Sequence, residues 1–253
     1  MRQRCGCGGT CREKGMEREL SYDLHIHSCL SPCGDDDMTP GNIVGMAAIK
    51  GLDVIAVTDH NSCRNCPAVL KLAEQYGVLA IPGMELTTAE EVHAVCLFSE
   101  LSAAMEFDRF VYGKLMKFPN REEIFGKQQI MNEEDICIGT EPNLLINSTE
   151  LSFDELWDIV TGQYGGVMIP AHIDKNANSL ISNLGFVPPE SQFRTAELHD
   201  MAALEKLKKS NPYLEQCRII CDSDAHYLEH IHEPEWKMKV REKSAKAVIA
   251  YLR

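Results

Sequence analysis

Short, almost wholly apolar runs recur along this 253-residue chain, and helix-like segments fill the gaps between them. Tyr22–Ile26, Asp53–Thr58, Val78–Pro82, Val92–Phe98, Gly166–Pro170, Thr195–Leu198 and Arg218–Cys221 read as strands. Asp53–Thr58 is apolar nearly throughout, as a strand covered on both faces of a parallel sheet must be. Thr39-Pro40 opens a helical stretch to Lys50, with a threonine cap and a proline in the first turn, and Gly51 closes it. Pro67–Tyr76 (stopped by Gly77), Leu101–Met116, Phe153–Thr161 and Met201–Ser210 read as further helices, and a last one starts at about Lys237. Strand-then-helix repetition over this length predicts an α/β fold, either a parallel barrel or a doubly wound sheet.

Residues 117–150 break the rhythm. Within them Gln128–Ile138 has the pattern of a hairpin turning at Asn132-Glu133-Glu134-Asp135. This stretch is read as an insertion in one domain spanning residues 16–253. Residues 1–15 are rich in Gly, Cys and Arg without hydrophobic periodicity, which suits a disordered leader. The competing reading is a metal-binding arm made by Cys5, Cys7 and Cys11.

Composition narrows the function. With 44% hydrophobic and 25% charged residues the chain is of globular type. It has no run approaching the ~20 apolar residues of a membrane span. A net charge of −13 argues against binding long nucleic acids. Eleven cysteines, an odd number, with no signal peptide fit a reducing, cytoplasmic setting.

Six of the nine histidines fall at or beside strand ends. His25 and His27 are two apart in Asp23-Leu24-His25-Ile26-His27 and therefore share a strand face. His60 ends Thr58-Asp59-His60, Glu85 follows Pro82-Gly83-Met84, His93 opens its run, and His172 follows Pro170-Ala171. Asp222-Ser223-Asp224-Ala225-His226 repeats the two-residue spacing after the last strand. In a parallel barrel these positions converge on one rim. They outnumber the four ligands of one zinc, so two or three metals are implied, a machinery suited to hydrolysing phosphate esters.

Taken in order, Asp-x-His-x-His, Thr-Asp-His, Gly-x-Glu, Ala-His and Ser-Asp-Ala-His resemble the PHP (polymerase and histidinol phosphatase) superfamily, over about residues 21–98 and 165–232. The resemblance implies a distorted (β/α)7 barrel with a small insertion and a site for two or three divalent ions, zinc, manganese or iron. It assigns His25, His27, Glu85 and Asp224 to one metal, and Glu85, His93 and His172 to a second. His60 and His226 would hold a third with a residue of the Ser31–Pro40 loop. Counting back from Thr39-Pro40 points to Asp35; counting forward from His27 points nearer Cys33; Asp36 and Asp37 are alternatives. Asp35 is the expected ligand.

On this reading Glu85 and the ligands hold a metal-bridging hydroxide as nucleophile, with Asp59 either behind His60 or accepting a backbone hydrogen bond, and with Glu197 as a further support; His199 could support it too but reads better as a polar residue at a helix start. Lys175, Asn61, Arg64 and Arg194 are candidate substrate contacts; His230 and His232 belong to an exposed helix or turn. Cys29, Cys33, Cys63 and Cys66 fall on one rim, either as a zinc, iron–sulfur or redox group or as free thiols. The expected activity is hydrolysis of a small phosphorylated metabolite or nucleotide. Histidinol-phosphate phosphatase, short-oligonucleotide phosphodiesterase and non-catalytic metal or redox sensor are the alternatives. Oligomeric state is not legible.

Overall fold

The computed structural model describes residues 17–253, so the leader expected at residues 1–15, with Cys5, Cys7 and Cys11, lies outside the described residues. In chain order the elements are β1 (Arg18–Ile26), α1 (Pro40–Lys50), β2 (Val54–Val57), α2 (Cys66–Tyr76), β3 (Leu79–Thr87), β4 (His93–Leu97) and α3 (Leu101–Lys114). Then follow α4 (Glu122–Phe125), β5 (Gln129–Met131), β6 (Cys137–Thr140), α5 (Phe153–Trp157), β7 (Val167–Pro170) and α6 (Leu180–Leu184). The chain closes with β8 (Thr195–Leu198), α7 (Leu204–Ser210), β9 (Arg218–Cys221), β10 (Lys237–Val240) and α8 (Ala245–Leu252). Among the described residues, no helix is long and apolar enough to cross a membrane.

A curled sheet runs in the order β10-β1-β2-β3-β4-β7, and β8 and β9 form a separate parallel ladder. A few bonds join that ladder to the sheet. Ile173 N donates to Glu197 O (2.9 Å) on one side, and His27 N donates to Ala225 O (2.9 Å) on the other. Strands β1, β2, β3, β4, β7, β8 and β9 thus make the distorted seven-stranded barrel that the sequence predicts.

Alternate strand residues face different cores, as the pleat requires. Val54 and Ala56 pack with Ile81, Val95, Ile169 and the α8 residues Val248 and Leu252. Ile55 and Val57 pack with Ile43, Val44 and Ala47 of α1 and Val69 and Leu72 of α2. Thr39 caps α1, its hydroxyl accepting from Asn42 N (3.3 Å), and Gly51 ends it in the left-handed conformation (φ 79°) that glycine adopts without strain.

Two departures from the expected pattern matter. First, β4 is antiparallel to both β3 and β7. Only the tight Thr88–Val92 turn, with Thr88 N bonded to Val92 O (2.9 Å), separates β3 from β4. A parallel crossover needs a dozen or more residues, so the chain must reverse. This pairing also extends β3 to Thr87, beyond the expected end at Pro82. Second, Lys237–Val240 is a strand and not the start of a helix. It alternates exposed and buried residues and pairs antiparallel with Arg18–Ser21, which lengthens β1 beyond its expected start at Tyr22. The helix begins only at Ala245, capped by Ser244.

The expected hairpin in residues 117–150 is present as antiparallel β5 and β6. It sits over the loops that follow β1 and β2. Gln129 N donates to Cys29 O (2.9 Å) and Met131 N to Asn65 Oδ1 (2.9 Å), and Leu145 packs with Leu30 and Leu115.

Candidate metal centre

The barrel rim gathers the histidines. His25 and His27 come from the end of β1, where the pairing with β2 shifts register between Asp23 and Ile26. His60 follows β2, His172 follows β7, and Asp224 and His226 follow β9. His93 is the first residue of β4; the reversal of that strand brings its start to the rim where its neighbours end. His172 (φ 30°), Asp224 (φ 50°) and Asn61 (φ 49°) all occupy the left-handed region. Such conformations cost about 1–3 kcal/mol each in non-glycine residues and concentrate at functional sites.

Glu85 is the hub. Its Oε1 lies 2.8 Å from His93 Nδ1, 3.1 Å from His172 Nε2 and 3.3 Å from His25 Nε2. Its Oε2 lies 3.0 Å from His60 Nδ1 and 3.3 Å from His27 Nε2. Asp224 Oδ1 stands 3.1 Å from His27 Nε2 and 3.4 Å from His25 Nε2. Ligand-type atoms fall into three overlapping groups, each within 4.8 Å: His25, His27 and Asp224; His60, Glu85 and His93; and His27, Cys33, His60 and His226.

What lies behind the imidazoles fixes how they point. Glu197 Oε2 accepts from His25 Nδ1 (2.9 Å). Ser31 Oγ donates to Asp59 Oδ1 (2.7 Å), so it accepts from His27 Nδ1 (3.0 Å) and from His60 N (3.2 Å). With both rings neutral, their Nε2 lone pairs would face each other at 3.2 Å, with two carboxylates alongside. Acceptors crowded and buried in this way call for positive charge, either protons on the rings or metal ions in their place. His60 Nδ1 and Glu85 Oε2, both buried, stand 3.0 Å apart but are not aligned for a good hydrogen bond. The residues present therefore fit a set of divalent ions.

The electrostatics say the same. Burial disfavours a charged His25, but Glu197, Glu85 and Asp224 outweigh it and hold its pKa well above the usual histidine value. His27 is likewise pushed up to about 9, against burial, by Asp224 and Glu85. Burial, reinforced by His27, pushes His60 down to about 3 and His226 to about 4. Despite burial, Glu85 is held well below the carboxylate range by His93, His25 and His60. Asp224 is lowered too, by His25 and His27 against its burial.

The other expected site residues are placed as follows. Cys33, and not Asp35, joins the third group. The Asp35 carboxylate turns back to accept Asp37 N (2.9 Å), while its backbone N–H bonds His226 O (3.0 Å). Asp59 reaches the imidazoles only through Ser31, and it also accepts from Ser28 N and Oγ (2.7 and 2.6 Å). Glu197 does support His25, whereas His199 lies exposed, its N–H bonded to Asp174 (2.7 Å). Lys175 lines the cavity and bonds Asp224 Oδ2.

Three expected substrate contacts are committed elsewhere. Asn61 donates to Leu145 O (2.7 Å) and Asn147 O (2.8 Å) and accepts from Thr87 N (3.0 Å). Arg64 pairs with Glu141 and stacks over Tyr112 (4.7 Å). Arg194 precedes β8, at the opposite end of the barrel, and bonds Tyr213 Oη (3.2 Å). The four rim cysteines do not assemble. Cys63 and Cys66 are buried, each sharing Gly83 O, and Cys29 is buried against Gln129 O. Ser28 and Ser31 were not anticipated; the only sequence hint was their place beside His27.

A cavity of about 260 Å³ opens over the cluster, lined by Glu85, His93, Cys33, Lys175, Ile146 and Asn178 among others.

The chain is similar to known proteins. It is 38% identical over 79 residues to an uncharacterised protein of Methanocaldococcus jannaschii, covering 28% of this chain and 46% of that one. It is 33% identical over 79 residues to a 5'-3' exoribonuclease of Haemophilus influenzae, covering 30% of this chain and 28% of that one. The chain thus matches less than half the length of each of these relatives. The crystal structure of the lesion-specific endonuclease EndoQ from Pyrococcus furiosus superposes with a TM-score of 0.65 at 18% identity, covering 93% of this chain and 56% of that one. The model of the PHP domain matches residues 23–229, most of the chain, and this protein belongs to that family of metal-dependent hydrolases.

Proposed function

We propose that this protein hydrolyses a phosphate ester of a small metabolite or nucleotide, with divalent ions held by His25, His27, His60, Glu85, His93, His172, Asp224 and His226. The observation that carries this reading is the sharing of Glu85 by five imidazoles, with Glu85, His60, His93 and His172 lining one cavity. Zinc, manganese or iron there would supply Lewis acidity and lower the pKa of water near the phosphorus. The chain's own groups do the positioning. Glu197 and Ser31 fix His25 and His27 from behind. Lys175, on the cavity wall, offers its ammonium to the non-bridging phosphate oxygens once Asp224 turns to a metal. The cavity volume of about 260 Å³ accommodates a phosphoryl group and part of its ester substituent.

A second reading is cleavage at the end of a short oligonucleotide. The similarities to an exoribonuclease and an endonuclease favour it, while the net charge of −13 works against a long polyanion on the outer surface. The test is turnover of p-nitrophenyl phosphate, histidinol phosphate, nucleoside bisphosphates and short oligonucleotides by metal-free and metal-reloaded protein. Metal-dependent release from the small esters supports the first reading, and release from oligonucleotides alone supports the second. A protein that binds metals and hydrolyses none of them overturns both and leaves a sensor.

A further inference from the structure

The third ligand group contains a thiol where the other two contain only nitrogen and oxygen. Cys33 Sγ lies 3.0 Å from His226 Nε2, whose ring is aligned from behind by Nδ1 donating to Asp224 O (2.8 Å). The loop is built to hold it there. Two successive turns, Ser31 N to Ser28 O (3.0 Å) and Gly34 N to Ser31 O (3.0 Å), fold residues 28–34 back over the rim. Position 34 has no room for a side chain, since a Cβ there would meet Ser28 O at 2.2 Å. Asp35 N then ties the loop to His226 O (3.0 Å). Beneath lies buried His60, whose Nδ1 stands 3.0 Å from Glu85 Oε2.

We propose that Cys33 is a thiolate ligand, forming with His60 and His226 a two-nitrogen, one-sulfur position that selects zinc or another thiophilic divalent ion, while His27 serves the neighbouring position beside Asp224. This deepens the reading of the rim as a metal centre and rests on it. A tetrahedral zinc with one sulfur and two imidazole ligands, its fourth place left to water, spaces its ligand atoms about 3.3–3.6 Å apart. The ligand atoms of Cys33, His60 and His226 lie within 4.8 Å of one another, so small side-chain adjustments suffice. Thiolate is the soft donor of the set. The groups around Glu85 offer only imidazole and carboxylate, which accept manganese and iron as readily. The rim is then chemically graded, with one thiophilic position beside two harder ones.

Cobalt(II) alone, titrated into metal-free full-length protein carrying Cys5→Ser, Cys7→Ser and Cys11→Ser, tests this independently of activity. Bound cobalt is expected to show a near-ultraviolet thiolate-to-cobalt charge-transfer band. The band should vanish on adding Cys33→Ser and persist on adding Asp35→Asn. Cys33→His should bind as much cobalt as the parent without the band. Zinc affinity at the weakened position should fall about 10–100-fold in Cys33→Ser. A band that survives Cys33→Ser overturns the proposal, as does cobalt bound with visible d–d absorption and no charge-transfer band. Failure to bind cobalt at all overturns both this proposal and the reading of the rim as a metal centre.

Discussion

Glu197 Oε2 and His25 Nδ1 lie 2.9 Å apart with both side chains buried, which ties β8 to β1 at the rim. The carboxylate holds Nδ1 as the donor, so that once the ring is neutral its Nε2 lone pair faces Glu85 and Asp224. Glu197 Oε1 also accepts His172 N (3.3 Å), so one side chain positions two histidines. Glu197→Ala should therefore weaken metal binding about 10–100-fold without touching a metal itself. Calorimetric titration of the metal-free variant would show it. Unchanged affinity would mean that His25 needs no support.

Metal loading should release protons. In the metal-free state His27, at about 9, and His25, well above the usual histidine value, both carry protons at pH 7. A metal accepts only the neutral ring. Affinity should therefore rise as pH increases from 7 toward 9, and loading should acidify a weakly buffered solution. The stability linkage has the same sign. These raised values stabilise the metal-free fold fully below the unfolded value of 6.5, and the His27 contribution is lost as pH rises through about 9. Proton release measured by an indicator dye, flat across this window, would contradict the assignment.

How far the site was legible from sequence depended on what sets each position. His25, His27, His60, His172, Asp224 and His226 abut apolar runs, and a short run marks its own end, so their convergence could be read directly. His93 could be placed at a strand start, but its rim position follows from the Thr88–Val92 turn being too short for a crossover. Cys33 and Asp35 could not be separated by counting, because two tight turns fold the loop back so that linear distance no longer measures reach. Arg64 and Asn61 looked free because their partners, Glu141 and the carbonyls of Leu145 and Asn147, come from the segment after α3, far along the chain. The strand at Lys237–Val240 shows only four residues of alternation, too few to outweigh the helical stretch that follows.

Lys175 should govern substrate binding more than metal binding. Its ammonium pairs with Asp224 and reaches into the cavity, and Asp224 keeps it strongly basic despite partial burial. Lys175→Gln removes the one lysine lining the cavity and leaves every imidazole in place. A hydrogen bond to a charged group is worth about 1.5–3 kcal/mol, so KM for a phosphate ester should rise about 10–100-fold. Metal content should not fall, because Asp224 loses a competitor. Steady-state kinetics beside metal analysis would check both. A variant with normal KM would exclude a phosphate contact.

Asn61 holds the segment after α3 onto the barrel. Its side chain is buried and spans Leu145 O, Asn147 O and Thr87 N, the last of these at the end of β3, the strand that carries Glu85. Asn61→Gly keeps the left-handed backbone (φ 49°) free of strain and removes only the side-chain bonds, so it separates the two contributions. Two buried groups, Leu145 O and Thr87 N, and the half-buried Asn147 O would lose a partner, at about 1–3 kcal/mol for each buried group that stays unsatisfied; water entry and the relief of backbone strain should limit the net loss to about 2–4 kcal/mol. Denaturant unfolding measures that loss. Ile146 lies between the two carbonyls and lines the cavity, so the same variant should raise KM while leaving the metal content intact. A stable variant with unchanged KM would show that the segment stays in place without Asn61.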